Sequence, residues 1–389
     1  MILFRSPTNR LLNDVLKIFM VVSVINIFLC YSFFDVGTVP SLIMSVILCF
    51  LMCCCLLFVA DRVSRTIKVA WALLLLFLLL SYFTHFSGTE YILNTLIFLG
   101  ILTVLPYAQL ESKFVKICLY IFVLYCVLVM AFAPKFESDA TIALIQLNTN
   151  GSGFILVLLE FCLLSVMANA KSYKKLLFAI ATLLVIFFQF LFAGRSSLIG
   201  TSLLIIYTIF RKRFNNIKPG AIKFFVFFIC IFAVIFAYLY AVVLFDMIGH
   251  GNVYILGKDI FTGRQIIWSD AFEQLQGHWI FGIGNTLASV AVNNDTSGVT
   301  NLHNQMMGYL TCFGIIVFLL YAILISLLIS KLFRCNEKKF AVAFAIILLV
   351  MSYFDTILYS SANMAYIPIV ITILYLYDKR HSHGREIGL

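Results

Sequence analysis

Polar residues in this chain are gathered into short clusters that punctuate long apolar runs. Stretches such as "SLIMSVILCFLMCCCLLFVA" (41–60) and "LLLLFLLLSYF" (73–83) recur from end to end. A helix of roughly 20 apolar residues crosses a hydrocarbon core about 30 Å thick, whereas a membrane barrel would show alternating segments of about ten residues. The pattern predicts an all-α polytopic membrane protein with twelve spans: 16–34, 41–60, 69–86, 91–110, 117–133, 153–170, 176–193, 197–210, 224–245, 305–330, 340–354 and 364–377. The first span is not read as a signal peptide, because "YSFFDVGTVP" leads straight into the second without a small-residue cleavage site.

Most connections are short, and two are not. One is "PKFESDATIALIQLNTNGSG" at 134–153; the other, about 246–304, is large enough to build structure outside the membrane. This divides the chain into spans 1–9 (1–245), a large loop (246–304), and spans 10–12 with a tail (305–389). Within the loop, Ile267, Trp268, Ala271, Phe272 and Leu275 recur at helical spacing, opposite Gln265, Ser269, Asp270, Glu273, Gln274 and Gln276. Gly263 and Gly277 bracket this segment as helix punctuation. Such an amphipathic helix is expected along the membrane surface, with its tryptophan at headgroup level.

Composition agrees: of 389 residues, 63% are hydrophobic and only 11% charged, against about 25% charged in soluble domains. The formal charge of +10 points to topology rather than to nucleic acid, since 23 of the 27 Lys and Arg residues fall in alternate connections and the two ends. By the positive-inside rule both termini are cytoplasmic and the large loop is periplasmic. Only Lys135, Arg195, Lys258 and Arg264 are then outside. No cysteine lies in an outer loop, so no disulfide framework is expected, and "CCC" at 53–55 is read as packing.

Two of the outer cations stand in unusual places. Arg195, in "FAGRSSLIG", sits where span 7 turns into span 8 with almost no loop. A cation kept near hydrocarbon faces a polar cavity or a counter-charge, and an ion pair with Glu160, the one mid-span carboxylate, is the structural alternative. Arg264 opens the amphipathic helix against the helix dipole, which an external anion would explain; an ordinary solvated arginine is the alternative. His303 and Asn304 precede span 10 in "TNLHNQMMGYL". A neutral imidazole can accept a proton from a hydroxyl at neutral pH, although a lone histidine at a helix end is commonly a satisfied interfacial residue. P-loop, G-x-S-x-G, HExxH and paired CxxC motifs are absent, and no D-x-D in an outer loop suggests a metal site.

Together these pieces resemble the O-antigen polymerase and O-antigen ligase family. The likeness lies in "GR…W" on the amphipathic helix, "FGIG" after it, "HN" opening a span with Gly314 ten residues past Asn304, and "AGRSS" at the span 7–8 turn. It covers about residues 190–320. The resemblance implies a C-type membrane glycosyltransferase fold in the bacterial inner membrane, working on its periplasmic face with no cofactor or metal. The implied donor is an undecaprenyl-pyrophosphate-linked oligosaccharide. Arg195 and Arg264, with Asn304, would bind its pyrophosphate, and His303 would activate the acceptor hydroxyl. A polymerase passes the chain to the next repeat unit, alongside a chain-length regulator protein; a ligase passes it to lipid A–core. Ligases carry a small or polar residue three positions after the glycine, where this chain has Val317, which favours the polymerase. A flippase or secondary transporter is the alternative of a different class; it should show Gly- or Pro-broken helices at mid-membrane.

Overall fold

The computed structural model describes residues 7–30, 38–85, 89–132, 149–167, 172–192, 195–244, 247, 254–255, 258–259, 264–284, 302–335, 339–354 and 366–375. Each of the twelve apolar segments contains a helix. They are α1 (Pro7–Cys30), α2 (Thr38–Val59), α3 (Arg65–His85), α4 (Thr89–Val104), α5 (Ser112–Phe132), α6 (Thr149–Met167), α7 (Ser172–Phe192), α8 (Arg195–Asn215) and α9 (Pro219–Tyr238), which runs into a π-helical turn at Leu239–Leu244. After these come a two-residue antiparallel pair, β1 (Tyr254–Ile255) and β2 (Lys258–Asp259), and the loop helix α10 (Arg264–Gln274). The last three are α11 (Gln305–Cys335), α12 (Phe340–Met351) and α13 (Tyr366–Tyr375). The β pair had no signal in the hydrophobic pattern.

Among the described residues, five helices are long and apolar enough to cross a membrane: Leu42–Arg62, Arg65–His85, Lys113–Phe132, Pro219–Leu244 and Gln305–Cys335. Several boundaries depart from the apolar runs for local reasons. Helix α1 starts at Pro7 because proline suits a first helical turn and the polar residues after it continue the helix. Helix α4 stops at Val104, before Pro106 sets a 3-10 turn at Leu105–Tyr107.

Helix α11 is the central element, buried over most of its length against α9, α3, α4 and α12. Buried hydroxyls within the bundle bond back to their own helices: Ser23 to the Phe19 carbonyl (2.9 Å), Thr103 to Leu99 (2.8 Å) and Thr311 to Met307 (3.0 Å). That satisfies polar groups where water is excluded. Large apolar residues such as Phe50, Leu57, Leu76 and Ile209 point outward, as helices facing lipid require.

One end of the bundle collects basic residues. Lys17 pairs with Glu111 (2.9 Å), Arg62 donates to Asn9, and the Tyr107 hydroxyl donates to the Arg62 carbonyl (2.6 Å). Lys331 donates to the Tyr107 hydroxyl and lies 4.5 Å from its ring, while Ser330 donates to the Pro219 carbonyl (2.8 Å). These contacts tie α1, the α2–α3 and α4–α5 corners, the start of α9 and the end of α11. The candidate site lies at the opposite end.

Candidate functional site

The site end is organised by an interruption in α11. Gly314 has φ +82° and ψ 177°, which breaks the helix inside an apolar run. A break of this kind frees two backbone groups, costly to leave bare away from water. Both are taken by the segment that follows α10: the Ile283 N–H donates to the Thr311 carbonyl (2.6 Å), and the Ile315 N–H donates to the Trp279 carbonyl (2.8 Å). From α3, the Ser81 hydroxyl donates to the Phe281 carbonyl (2.9 Å). The approach is backbone on backbone. A Cβ at Gly282 (φ +75°) would fall 2.5 Å from the Thr311 carbonyl oxygen, and one at Gly314 would strike the Ile280 carbonyl. Thus "FGIG" is a splice that closes α11 from outside.

Helix α10 docks beside this splice. Ile267, Trp268, Ala271 and Leu275 are buried against Ala237 and Ala241 of α9 and its π turn, and against Leu302, Met307 and Leu310. The two alanines leave room for the indole, and Tyr240 packs on it at 5.3 Å between ring centroids. The Trp268 Nε1–H donates to the Leu302 carbonyl. This corrects two expectations. Trp268 lies in the protein interior rather than at headgroup level, because its apolar body and its single donor both find protein partners. Gln265, expected on the polar face, is buried too. The exposed aromatic residues near the splice are instead Trp279 and Phe281.

The bond to Leu302 fixes the residue just before His303. His303 is half-buried and left-handed (φ 49°), a conformation histidine adopts more readily than most residues. It turns the chain into α11, where Asn304 is the N-cap: its Oδ1 accepts from the Met307 N–H (3.0 Å) and its Nδ2 donates to the Ala233 carbonyl (3.1 Å). The Gln305 N–H donates to the Ser352 carbonyl (2.9 Å). Asn304 is completely buried and its amide is committed to protein partners.

Arg264 is the first residue of α10, half-buried, one turn before Trp268 and therefore on the same side of the helix. The Trp268–Leu302 bond brings Arg264 and His303 into one assembly. Arg195 is the first residue of α8; its side chain, like His250, Gly263 and residues 285–301, lies outside the described residues. Helix α8 nonetheless reaches the same assembly. Gly200 abuts Met351, where an added Cβ would fall 2.5 Å from Sδ, and Met351 precedes the Ser352 that accepts from Gln305. Glu160 bonds to Thr201 of α8 (2.6 Å), and no described ion pair includes it.

Residues 180–322 match the family model described as O-antigen ligase. This segment is similar to the O-antigen ligase family. It runs from within α7 through the Gly314 break, taking in Arg195, Arg264, His303 and the splice. No curated protein matches the chain. The similarity to the O-antigen ligase family and the five long apolar helices together point to a multi-pass membrane protein. Sequence reasoning missed the anchoring roles of Trp268 and Ser352. The Gly282–Gly314 lock had a signal, two glycines at unlike positions, but no hint that they meet.

Proposed function

We propose that this protein polymerises undecaprenyl-pyrophosphate-linked repeat units of O-antigen or a related surface polysaccharide. The observation that carries this reading is the Trp268–Leu302 bond, which joins the helix of Arg264 to the turn of His303 within the O-antigen ligase-family segment. By this reading the twelve helices all cross the inner membrane, the basic end is cytoplasmic, and the site opens to the periplasm.

Outside the cytoplasm a sugar donor must arrive already activated on a lipid. Displacing pyrophosphate from an anomeric carbon builds negative charge on the leaving group. Planar guanidiniums at Arg195 and Arg264 hold phosphate oxygens bidentately, each contributing about 2–4 kcal/mol to lowering the barrier. His303 takes the proton of the acceptor hydroxyl on the opposite face, so configuration inverts. Asn304 is a positioning residue that sets the left-handed turn.

A ligase is the second reading, favoured by the description of the matching family model. Val317, buried in α11 three residues after Gly314, supports the polymerase. The transporter reading gains the broken helix it requires, but the break at Gly314 is plugged by residues 279–283 rather than left to line a cavity.

The test is the surface polysaccharide of a His303→Ala strain that still inserts the protein. Loss of long banded chains is expected, and full-length chains would sink the assignment. In a deletion strain, single repeat units capped on lipid A–core mark a polymerase, and unlinked long polymer marks a ligase. Repeat units retained on the cytoplasmic leaflet would mark a flippase.

A further inference from the structure

Glu160 of α6, Gln189 of α7 and Thr201 of α8 form a cluster that the proposed chemistry does not use. All three are buried, at 1%, 0% and 5% exposure. The Thr201 Oγ1 lies 2.6 Å from Glu160 Oε2 and 2.5 Å from Gln189 Oε1. A threonine hydroxyl owns one hydrogen and an amide oxygen only accepts, so Thr201 donates to Gln189 Oε1 and accepts from the protonated carboxyl of Glu160. Thr201 is the hub.

Its position in the chain gives the cluster a purpose. Gln189 and Thr201 stand six residues before and six residues after Arg195, so their hydrogen bond staples the α7–α8 hairpin with Arg195 at its apex. Thr201 is about 9 Å along α8 from Arg195. Glu160 then fastens the staple to a third helix. Gly200 in this turn of α8 also packs against Met351 and Val157; these contacts are steric and set only how closely the helix approaches. Hydrogen bonds are directional and also set how far α8 slides and turns. An acidic group inside an apolar helix is costly to insert and marks a role beyond packing.

We infer that the Glu160–Thr201–Gln189 cluster is a positioning device that holds Arg195 at its working place on the α7–α8 hairpin. The inference rests on the proposed function for what Arg195 does there, namely holding the donor's pyrophosphate. It predicts that disturbing the cluster moves the apex and weakens donor binding while leaving the proton-accepting step at His303 intact.

The test has an arm independent of activity. In purified full-length protein in lipid nanodiscs, Arg195→Cys is labelled with a maleimide, with the parent protein as background. Adding Glu160→Ala or Thr201→Val is expected to raise the labelling rate about tenfold, the scale of losing a buried hydrogen-bonded partner. Glu160→Gln and Thr201→Ser, which keep the bonding groups, are expected to stay within about twofold on that scale. Should Glu160→Ala fail to insert, Thr201→Val alone decides. Labelling unchanged by Thr201→Val overturns the inference. In the second arm, with Arg195 intact, Thr201→Val raises KM for lipid-linked donor with little change in kcat, and Thr201→Ser restores it. An equal fall in both variants, tracking lost protein, overturns it as well. If His303→Ala strains keep full-length chains while the labelling responds as expected, the proposed reaction falls and the staple stands.

Discussion

The two ends of the bundle are held together by different chemistry. At the basic end, side chains do the fastening: Lys17 to Glu111, Arg62 to Asn9, Lys331 to Tyr107, with Glu111 exposed and Lys17 half-exposed. At the site end the fastening is backbone to backbone, at Ile283–Thr311 and Ile315–Trp279, or buried side chain to backbone, at Trp268–Leu302 and Asn304–Ala233. Solvated ion pairs between long side chains tolerate exchange and contribute about 0–1 kcal/mol. Buried contacts to backbone carry little sequence identity but demand particular shapes, such as glycine at 282 and 314. The lesson is that close backbone approach is concentrated where the candidate chemistry lies, while the other end is fastened by side chains, among them Tyr107 to the Arg62 carbonyl and Ser330 to the Pro219 carbonyl.

Substitutions that contrast the ends test this difference. Gly314→Ala should have the largest effect, losing about 4 kcal/mol of stability, since the new methyl meets the Ile280 carbonyl at a left-handed φ. Its thermal unfolding midpoint in nanodiscs should fall far below that of the parent, and an unchanged midpoint would undo the splice. Trp268→Phe keeps bulk and removes the donor to Leu302. A loss of about 1–3 kcal/mol is expected, with polysaccharide chains shortened even where protein levels are restored. Asn304→Ala should cost about 1–2 kcal/mol through the lost cap, and Asn304→Ser, whose hydroxyl can still accept from the Met307 N–H, should recover part of it; equal losses in both would show that the cap is not what matters. Lys17→Ala should be smallest, below about 1 kcal/mol, with chain length unaffected; an effect as large as that of Trp268→Phe would erase the contrast.

Helix placement was legible because roughly 20 apolar residues in a row have few alternatives to a buried or lipid-facing helix. The surroundings of α10 were not. A stripe of Ile267, Trp268, Ala271 and Leu275 says that one face is apolar, and that face fits a membrane surface as well as the groove made by Ala237 and Ala241. Only the tertiary arrangement decides, and it also buries Gln265. His303 and Arg264 are legible as candidates from residue type and neighbours, yet the bond that links the helix of one to the turn of the other, from Trp268 to Leu302, runs through a main-chain carbonyl, which no sequence pattern marks. Likewise Gly314 is legible as one residue of a motif, but its role as a helix break that residues 279–283 occupy is not.

The plugged interruption of α11 bears on how chimeras of this protein should be cut. A graft beginning at Gln305 would carry the Thr311 carbonyl and the Ile315 N–H into hydrocarbon without their mates, because those reside on residues 283 and 279. A transplant that starts upstream of His278 brings donor and acceptor together. Exchange of the loop at 246–304 between homologues is therefore expected to succeed only when the helix after it travels along.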